Sequence, residues 1–175
     1  NGLKSSGYKN VEAYKMSKVR VKSIIGEFDG IVVRSRFKID SEFLRNGDKI
    51  KFIARVGSGL ENIDTPYLKK RGIKLISAPE GNSNAVGEHA IGLILSLLNK
   101  LNLANDSVKN KLWSREKFRG YEIENKTIGI IGYGNTGKSL AKKLTGFNVR
   151  EIIFYDIKKK PKDSIAKQVS IEELQ

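Results

Sequence analysis

The chain has 175 residues, of which 39% are hydrophobic, and its 33 Lys and Arg residues give a formal net charge of +14. This apolar fraction is enough for a packed core and argues against disorder. The absence of cysteine excludes disulfides and thiolate metal sites and agrees with a cytoplasmic location. The longest apolar stretch, residues 90–98, is far shorter than the ~20 residues that a membrane span needs.

The basic residues are distributed along the chain rather than concentrated. An excess of Lys and Arg is typical of nucleic-acid binding, because neutralised phosphates release counterions. The one lysine run, residues 158–160, has no aromatic side chains interleaved with it. We therefore interpret the charge as a solvated surface, part of which serves a small anionic substrate. Neither a nucleic acid nor a membrane is an expected partner.

The first part of the chain alternates apolar runs with amphipathic stretches. The runs are short and bounded by turn residues, as buried parallel strands are, and they cover residues 30–33, 52–54 and 73–76. The predicted helices between them cover residues 19–28, 41–46 and 65–71, with Asp40, Asp64 and Thr65 as candidate N-caps. Strands that alternate with helices predict a parallel α/β sheet.

A long helix is predicted at residues 84–103. Its apolar stripe is wide, so we expect it to be buried on much of its surface, as a helix between two domains would be. The stretch after it, residues 105–125, is more polar and has Trp113 as its main apolar anchor. We place the domain boundary there, with a first domain at 1–104 that includes the interdomain helix and a second at 105–175.

The second domain opens with a glycine fingerprint in a specific context. A predicted strand runs into Gly132-x-Gly134-x-x-Gly137, and an amphipathic helix, a second strand and Asp156 follow. This order predicts a dinucleotide site rather than an unspecific glycine-rich turn. Gly132 permits a tight turn, Gly134 lets the backbone approach a pyrophosphate, and Gly137 allows the helix to pack closely.

Asp156 indicates which dinucleotide binds. It lies 19 residues after Gly137, close to the ~20 expected of the acid that binds the ribose hydroxyls. A carboxylate at this point repels a 2′-phosphate, so NAD is favoured over NADP. The lysines at 158–160 weaken this preference.

Together with the fingerprint, residues 33–38, 53–64 and 78–88 resemble the D-2-hydroxyacid dehydrogenase family. The Arg-Ser-x-x-Lys pattern that starts at Arg34 resembles the phosphoglycerate dehydrogenase branch of that family. The resemblance implies a flavodoxin-like substrate domain followed by the first half of a Rossmann NAD-binding domain.

The resemblance also implies site residues. Arg34 and Arg55 match substrate-binding arginines, whose guanidinium groups suit phosphate or carboxylate. The further substrate-binding positions are Val56, Gly57, Ser58, Gly59 and Asn82. The cofactor-binding positions are Ser58, Gly132, Gly134, Asn135, Thr136, Gly137 and Asp156. A structural interpretation stays open for some of them: the arginines as surface residues at strand ends, and Asn82 and Ser83 as helix caps.

The implied reaction is the NAD-dependent interconversion of a D-2-hydroxy acid and a 2-keto acid. The leading substrate is 3-phosphoglycerate, which would link the enzyme to serine biosynthesis. The resemblance also implies a homodimer, to which the segment 105–121 contributes. The alternatives are a relative that acts on erythronate 4-phosphate, D-lactate or glycerate, and a non-catalytic NAD-responsive binding protein.

The family's catalytic Arg, Glu and His are expected beyond Gln175, so this chain is predicted not to turn over by itself. Two Arg-Gly dipeptides, at Arg71 and Arg119, imitate the family's catalytic one but precede the fingerprint. His89 is interpreted as a structural or helix-surface residue. Two departures from the family pattern are Glu61, where aspartate is commoner, and Gly87, where alanine is commoner.

Overall fold

The computed structural model describes residues 2–159 and 161–175, so Lys160 of the lysine run lies outside the described residues. The chain divides into two compact units, Asn1–Ala78 and Pro79–Gln175. Within the described ranges, no helix is both long and apolar enough to cross a membrane.

The first unit is built on a parallel three-stranded sheet. Its helices are α1 (Gly2–Ser5), α2 (Lys18–Ile24) and α3 (Thr65–Lys70), and its strands are β1 (Gly30–Val33), β2 (Phe52–Arg55) and β3 (Lys74–Ser77). The sheet order is β1-β2-β3, and Ile31, Ile53 and Leu75 are aligned across it. This row packs into the core of the unit, where Ile53 is fully buried. The strand predictions for this unit are confirmed.

One helix prediction in the first unit is wrong. Residues 41–46 form hydrogen-bonded turns instead of an α-helix. Asp40 begins them as an N-cap would, since its Oδ1 accepts from the Phe43 N–H at 2.9 Å. The segment closes when the Gly47 N–H donates to the Leu44 carbonyl at 2.9 Å. The turns already bury the two apolar side chains of the segment, Phe43 and Leu44. A helix this short would have little intrinsic stability.

The second unit contains another parallel sheet, in the order β4-β5-β6. Its strands are β4 (Thr127–Ile131), β5 (Glu151–Tyr155) and β6 (Lys167–Gln168). Its helices are α4 (Ser83–Leu98), α5 (Leu101–Lys109), α6 (Asn135–Leu144) and α7 (Ile171–Leu174). The predicted order of strand, fingerprint, helix and strand is confirmed, and so is the α/β class with parallel sheets.

The predicted helix at 84–103 is two helices. Lys100 adopts the left-handed conformation with φ 52°, and the Asn99 side chain donates to the Leu95 carbonyl at 3.0 Å. The expected burial is also wrong, because Gly87 is the buried residue of α4 and Leu97 is 80% exposed. Helix α4 packs mainly against α6 and also contacts α5, so the compact units divide before α4. The domain boundary after residue 104 stays a prediction.

Candidate functional site

The fingerprint turn has the geometry that its glycines predict. Gly132 has φ +88°, and its N–H donates to the Tyr155 carbonyl at 2.8 Å, which joins the ends of β4 and β5. A Cβ on Gly137 would lie 2.3 Å from the Gly132 carbonyl oxygen, so α6 can pack on the turn because residue 137 has no side chain. A Cβ added to Gly134 would have no atom of another described element within 4 Å. The turn therefore leaves room for a ligand beside Gly134.

Helix α6 begins at this turn without a side-chain cap from the part of the chain that is described. Asn135 and Thr136 in its first turn are exposed. The N–H groups of a first helical turn have no partners within the helix, and the helix dipole favours an anion there. The start of α6 can therefore hold a pyrophosphate.

Asp156 follows β5 directly and faces the fingerprint turn. Its Oδ2 accepts from the Tyr133 N–H and its Oδ1 from the Lys158 N–H, both at 2.9 Å. These two bonds keep the carboxylate beside the fingerprint turn. Asp156 thus lies where an adenosine ribose can reach it from the turn.

A cleft of about 420 Å³ lies at the same edge of the sheet. It is lined by Ile131, Gly132, Tyr155, Asp156, Ile157 and Lys158. The Ile131 and Ile157 side chains are largely exposed, although they are apolar. Apolar walls beside a carboxylate suit a purine and its ribose. The residues present therefore fit the adenosine half of a dinucleotide.

Arg34 and Arg55 lie at the carboxyl edge of the first sheet. Arg55 is the last residue of β2 and pairs with Val33, the last residue of β1, so Arg34 follows at the same edge. The Arg34 side chain is exposed, and within the described ranges it makes no hydrogen bond or ion pair. Arg55 is half-buried, and its guanidinium donates to the carbonyls of Gly59 at 3.0 Å and Val56 at 2.7 Å. Arg34 is therefore open to an anion, whereas Arg55 braces its own loop.

The loop at 56–59 is only partly available to a carboxylate. The Val56 N–H already donates to the Val33 carbonyl at 2.8 Å, which runs against its predicted role. The roles of the Gly57, Ser58 and Gly59 N–H groups stay predictions. Gly57 has φ +139°, a conformation that favours glycine. A Cβ on Gly59 would lie 2.3 Å from Glu61 Oε2, so the carboxylate at this departure from the family pattern lies against the loop.

Asn62 is a site residue that the sequence analysis did not identify. Its Nδ2 donates to the carbonyls of Arg34 at 3.2 Å and Phe37 at 2.9 Å, which ties the loop after β1 to the segment after β2. Its Oδ1 is buried and finds no hydrogen-bond partner among the described residues. The sequence offers no signal for this role, because the partners are backbone carbonyls distant along the chain.

The residues at the start of α4 behave differently from simple caps. Asn82 occupies the N-cap position, but its side chain makes no capping bond within the described structure. Ser83 Oγ donates to the Glu80 carbonyl at 2.8 Å. The capping interpretation of Asn82 is therefore not supported, and its predicted substrate role is untested.

His89 and the two Arg-Gly dipeptides lie outside the candidate sites. His89 is exposed, and the neighbouring Glu88 bonds with Lys143 at 3.2 Å. The Arg71 guanidinium donates to the Tyr67 hydroxyl at 3.0 Å, and Arg119 pairs with Glu116 at 2.8 Å. These contacts give both arginines structural partners.

Comparisons with known proteins agree with this geometry. Residues 3–170 match the family model of the D-isomer specific 2-hydroxyacid dehydrogenase, catalytic domain. A hydroxypyruvate reductase of Thermotoga maritima is 35% identical over 164 residues, which are 94% of this chain and 53% of that protein. A D-3-phosphoglycerate dehydrogenase of Archaeoglobus fulgidus is 38% identical over 141 residues, 81% of this chain and 27% of that protein.

The likeness extends to solved structures. A D-lactate dehydrogenase of Aquifex aeolicus, complexed with NAD and lactic acid, is 24% identical and has a TM-score of 0.79. The match covers 98% of this chain and 53% of that one, and it shows a common fold. The chain thus spans about half the length of the hydroxypyruvate reductase and the D-lactate dehydrogenase, and about a quarter of the phosphoglycerate dehydrogenase.

Proposed function

Since the chain belongs to the family of D-isomer-specific 2-hydroxyacid dehydrogenases, we propose that the protein is an NAD-dependent oxidoreductase that interconverts a D-2-hydroxy acid and a 2-keto acid. The observation that carries the proposal is the fingerprint turn with Asp156 beside it, at the carboxyl ends of β4 and β5. Ligands of open parallel sheets bind at this edge.

The residues of the second unit have distinct tasks in this proposal. The first turn of α6 holds the pyrophosphate beside Gly134, and Asp156 accepts from the adenosine ribose. Ile131 and Ile157 shield the adenine from water. Bound NAD would supply the acceptor for the hydride that leaves the carbon carrying the substrate hydroxyl. The preference for NAD rests on Asp156, so Asp156→Ala should weaken NAD binding and narrow the preference over NADP.

We propose 3-phosphoglycerate as the hydroxy acid. Arg34 supports this choice, because its guanidinium is exposed directly after β1 and has no partner among the described residues, which suits it to a phosphate. Gly57, Ser58 and Gly59 would then bind the substrate carboxylate through their backbone N–H groups, with Arg55 bracing their loop. A 2-keto acid product of this kind would feed serine biosynthesis, and a cytoplasmic location stays a prediction.

A second candidate is the reaction of D-glycerate with the same cofactor. It is favoured by the likeness to a hydroxypyruvate reductase over 94% of the chain. It is also favoured by Arg55, because that guanidinium already donates to the carbonyls of Val56 and Gly59. Arg34 would then bind a phosphate without a second arginine.

The test uses the full coding sequence of the gene, wherever it ends. NADH formation is measured with 3-phosphoglycerate, D-glycerate and D-lactate for the unsubstituted protein, Arg34→Ala and Arg45→Ala. Arg45 is an exposed arginine of the same unit and serves as the matched control. We expect Arg34→Ala to lower kcat/KM for 3-phosphoglycerate roughly 10- to 100-fold, as the loss of a charge-assisted hydrogen bond does.

The outcomes separate the candidates. An equal loss for the phosphorylated and unphosphorylated acids would mean that Arg34 does not recognise phosphate. Activity with D-glycerate alone would establish the second candidate. NAD binding without turnover of any acid would favour a non-catalytic NAD-responsive protein.

We also propose that the protein self-associates through α4, α5 and the segment after them. Exposed apolar side chains are concentrated there: Leu93, Leu97, Leu101, Leu103, Val108, Leu112 and Trp113. Trp113 is 83% exposed, and apolar patches of this kind mark interaction sites. A second copy of the chain is the proposed partner. Sedimentation should show a dimer that Leu97→Glu dissociates, whereas Val19→Glu, at an exposed apolar residue of α2, leaves it intact.

A further inference from the structure

Tyr133 is a core residue within the fingerprint. It stands between the first two glycines of the motif, yet it is 1% exposed. Its ring stacks on Phe154 of β5, with ring centroids 3.9 Å apart and an interplanar angle of 11°. A phenylalanine would fill this space equally well, and a buried phenol hydroxyl needs a partner. The hydroxyl therefore requires its own explanation.

The partner of that hydroxyl is Asp163, in the loop between β5 and β6. The Tyr133 hydroxyl donates to Asp163 Oδ2 at 3.1 Å, and Asp163 Oδ1 accepts from the Ile165 N–H at 2.8 Å. Burial, and then the bond to Asp163, raise the pKa of Tyr133 to about 12. The Ile165 N–H, the Tyr133 hydroxyl and the Lys138 charge hold the pKa of Asp163 below its ordinary value. A neutral donor thus faces an ionised acceptor at neutral pH.

Tyr133 also contacts the near end of the same loop. Its backbone N–H donates to Asp156, the proposed ribose ligand, at 2.9 Å. At the far end, Gln168 of β6 donates from Nε2 to the carbonyls of Asp156 at 3.3 Å and Lys158 at 3.2 Å. Tyr133 therefore bonds both to Asp156, directly before the loop, and to Asp163 within it.

We infer that Tyr133 and Asp163 are a positioning pair that holds the loop between β5 and β6, described at 157–159 and 161–166, on the fingerprint turn and so sets the affinity for the adenosine half of the cofactor. This inference rests on the proposed NAD binding. Neither side chain needs to touch the cofactor. The pair acts through Ile157 and Lys158, which lie at the start of this loop and line the cleft proposed for the adenosine half.

The loop carries its own probe, because Lys158, Lys159, Lys162 and Lys167 are exposed sites for trypsin. Limited trypsinolysis, with the cut sites mapped by mass spectrometry, compares the unsubstituted chain with Tyr133→Phe. Loss of a hydrogen bond to a charged group should speed cleavage between 158 and 167 about tenfold, since cleavage follows local opening. Tyr121→Phe, which removes an exposed phenol hydroxyl, is the matched control and should leave the pattern unchanged.

The partner residue provides an independent variant. Asp163→Asn should speed the same cuts, and the double variant should be no faster than the single ones, because the two groups act as one unit. If Tyr133→Phe raised cleavage along the whole chain, it would have disturbed the fold, and Asp163→Asn, at a half-buried position, would decide. Unchanged loop cleavage in Asp163→Asn would overturn the inference.

Binding of AMP and NAD to the same variants, measured by calorimetry, tests the consequence for the ligand. We expect the Kd of both to rise severalfold in Tyr133→Phe and Asp163→Asn and to stay the same in Tyr121→Phe. Faster loop cleavage with unchanged AMP affinity would overturn the adenosine role. If the unsubstituted protein bound neither nucleotide, the NAD proposal would be refuted. The cleavage result would still show whether Tyr133 and Asp163 hold the loop.

Discussion

Gly87 gives the sharpest test of how the second unit is packed. It is the buried residue of α4, on the side of that helix that meets α6. A methyl group added there would lie 2.8 Å from Ser139 Oγ, 3.2 Å from the Leu140 backbone nitrogen and 3.2 Å from Lys143 Cε. The serine hydroxyl can rotate away, but the Leu140 nitrogen moves only with α6 itself. Lys143 is also held, by Asn84 at 2.7 Å.

Two effects oppose each other in Gly87→Ala. Alanine is favoured over glycine in a helix interior by about 0.8–1.0 kcal/mol. Overpacking a tight contact costs about 1–3 kcal/mol, so we expect a net loss of about 1 kcal/mol in the free energy of unfolding. Gly92 is the matched control, because it lies in the same helix and no described atom is within 4 Å of its added Cβ. Gly92→Ala should gain about 1 kcal/mol.

The assay is urea-induced unfolding, followed by far-ultraviolet circular dichroism. The midpoint of the transition of the second unit should fall in Gly87→Ala and rise in Gly92→Ala. Ser139→Ala in the Gly87→Ala background should recover part of the loss, because it removes the closest atom. If Gly87→Ala stabilised the protein as much as Gly92→Ala does, the close approach of α4 and α6 would be refuted.

Three further substitutions test other contacts. Lys143→Met removes the ammonium that links α4 to α6 and should cost about 1 kcal/mol, whereas the exposed Lys142→Met should cost little in the same unfolding assay. Burial and a carboxylate partner raise the pKa of Tyr133 to about 12, so the absorbance titration should contain a late tyrosine component that Tyr133→Phe abolishes. The contribution of the protonated Tyr133 hydroxyl to the free energy of unfolding is complete below the ordinary pKa of 10.0 and is lost as the pH rises towards 12. Asp64→Ala removes the acceptor for the Tyr67 N–H at the start of α3 and should lower the midpoint of the first unit by the equivalent of about 1 kcal/mol.

The fingerprint region was predictable because its signals are local. Three features depend on residues close to each other along the chain or on a known strand-to-strand spacing: the tight turn at Gly132, the start of α6 at Asn135 and the carboxylate after β5. The Asp64 cap of α3 is another local signal, and the structure confirms it. In both places the backbone geometry admits few residue types.

The helix predictions failed where a local pattern competed with other demands. The apolar stripe continues through residues 99–101, but the chain ends α4 with Asn99 bonded back to Leu95 and Lys100 in the left-handed conformation. The width of the stripe predicted burial, yet Leu97 is exposed, because a pattern reports which residues are apolar and not what covers them.

The sequence by itself determined the α/β class, the parallel strands and the family. These follow from the periodicity of apolar residues and from motifs that are recognised by their order and spacing along the chain. The tertiary structure alone decided which groups are engaged: Val56 bonded to Val33, Asn62 across two loops, and Tyr133 bonded to Asp163. Each of these partnerships joins residues from different elements. Their hydrogen bonds exist because folding brings donors to acceptors that are far away along the chain, and no local sequence pattern indicates such a pair.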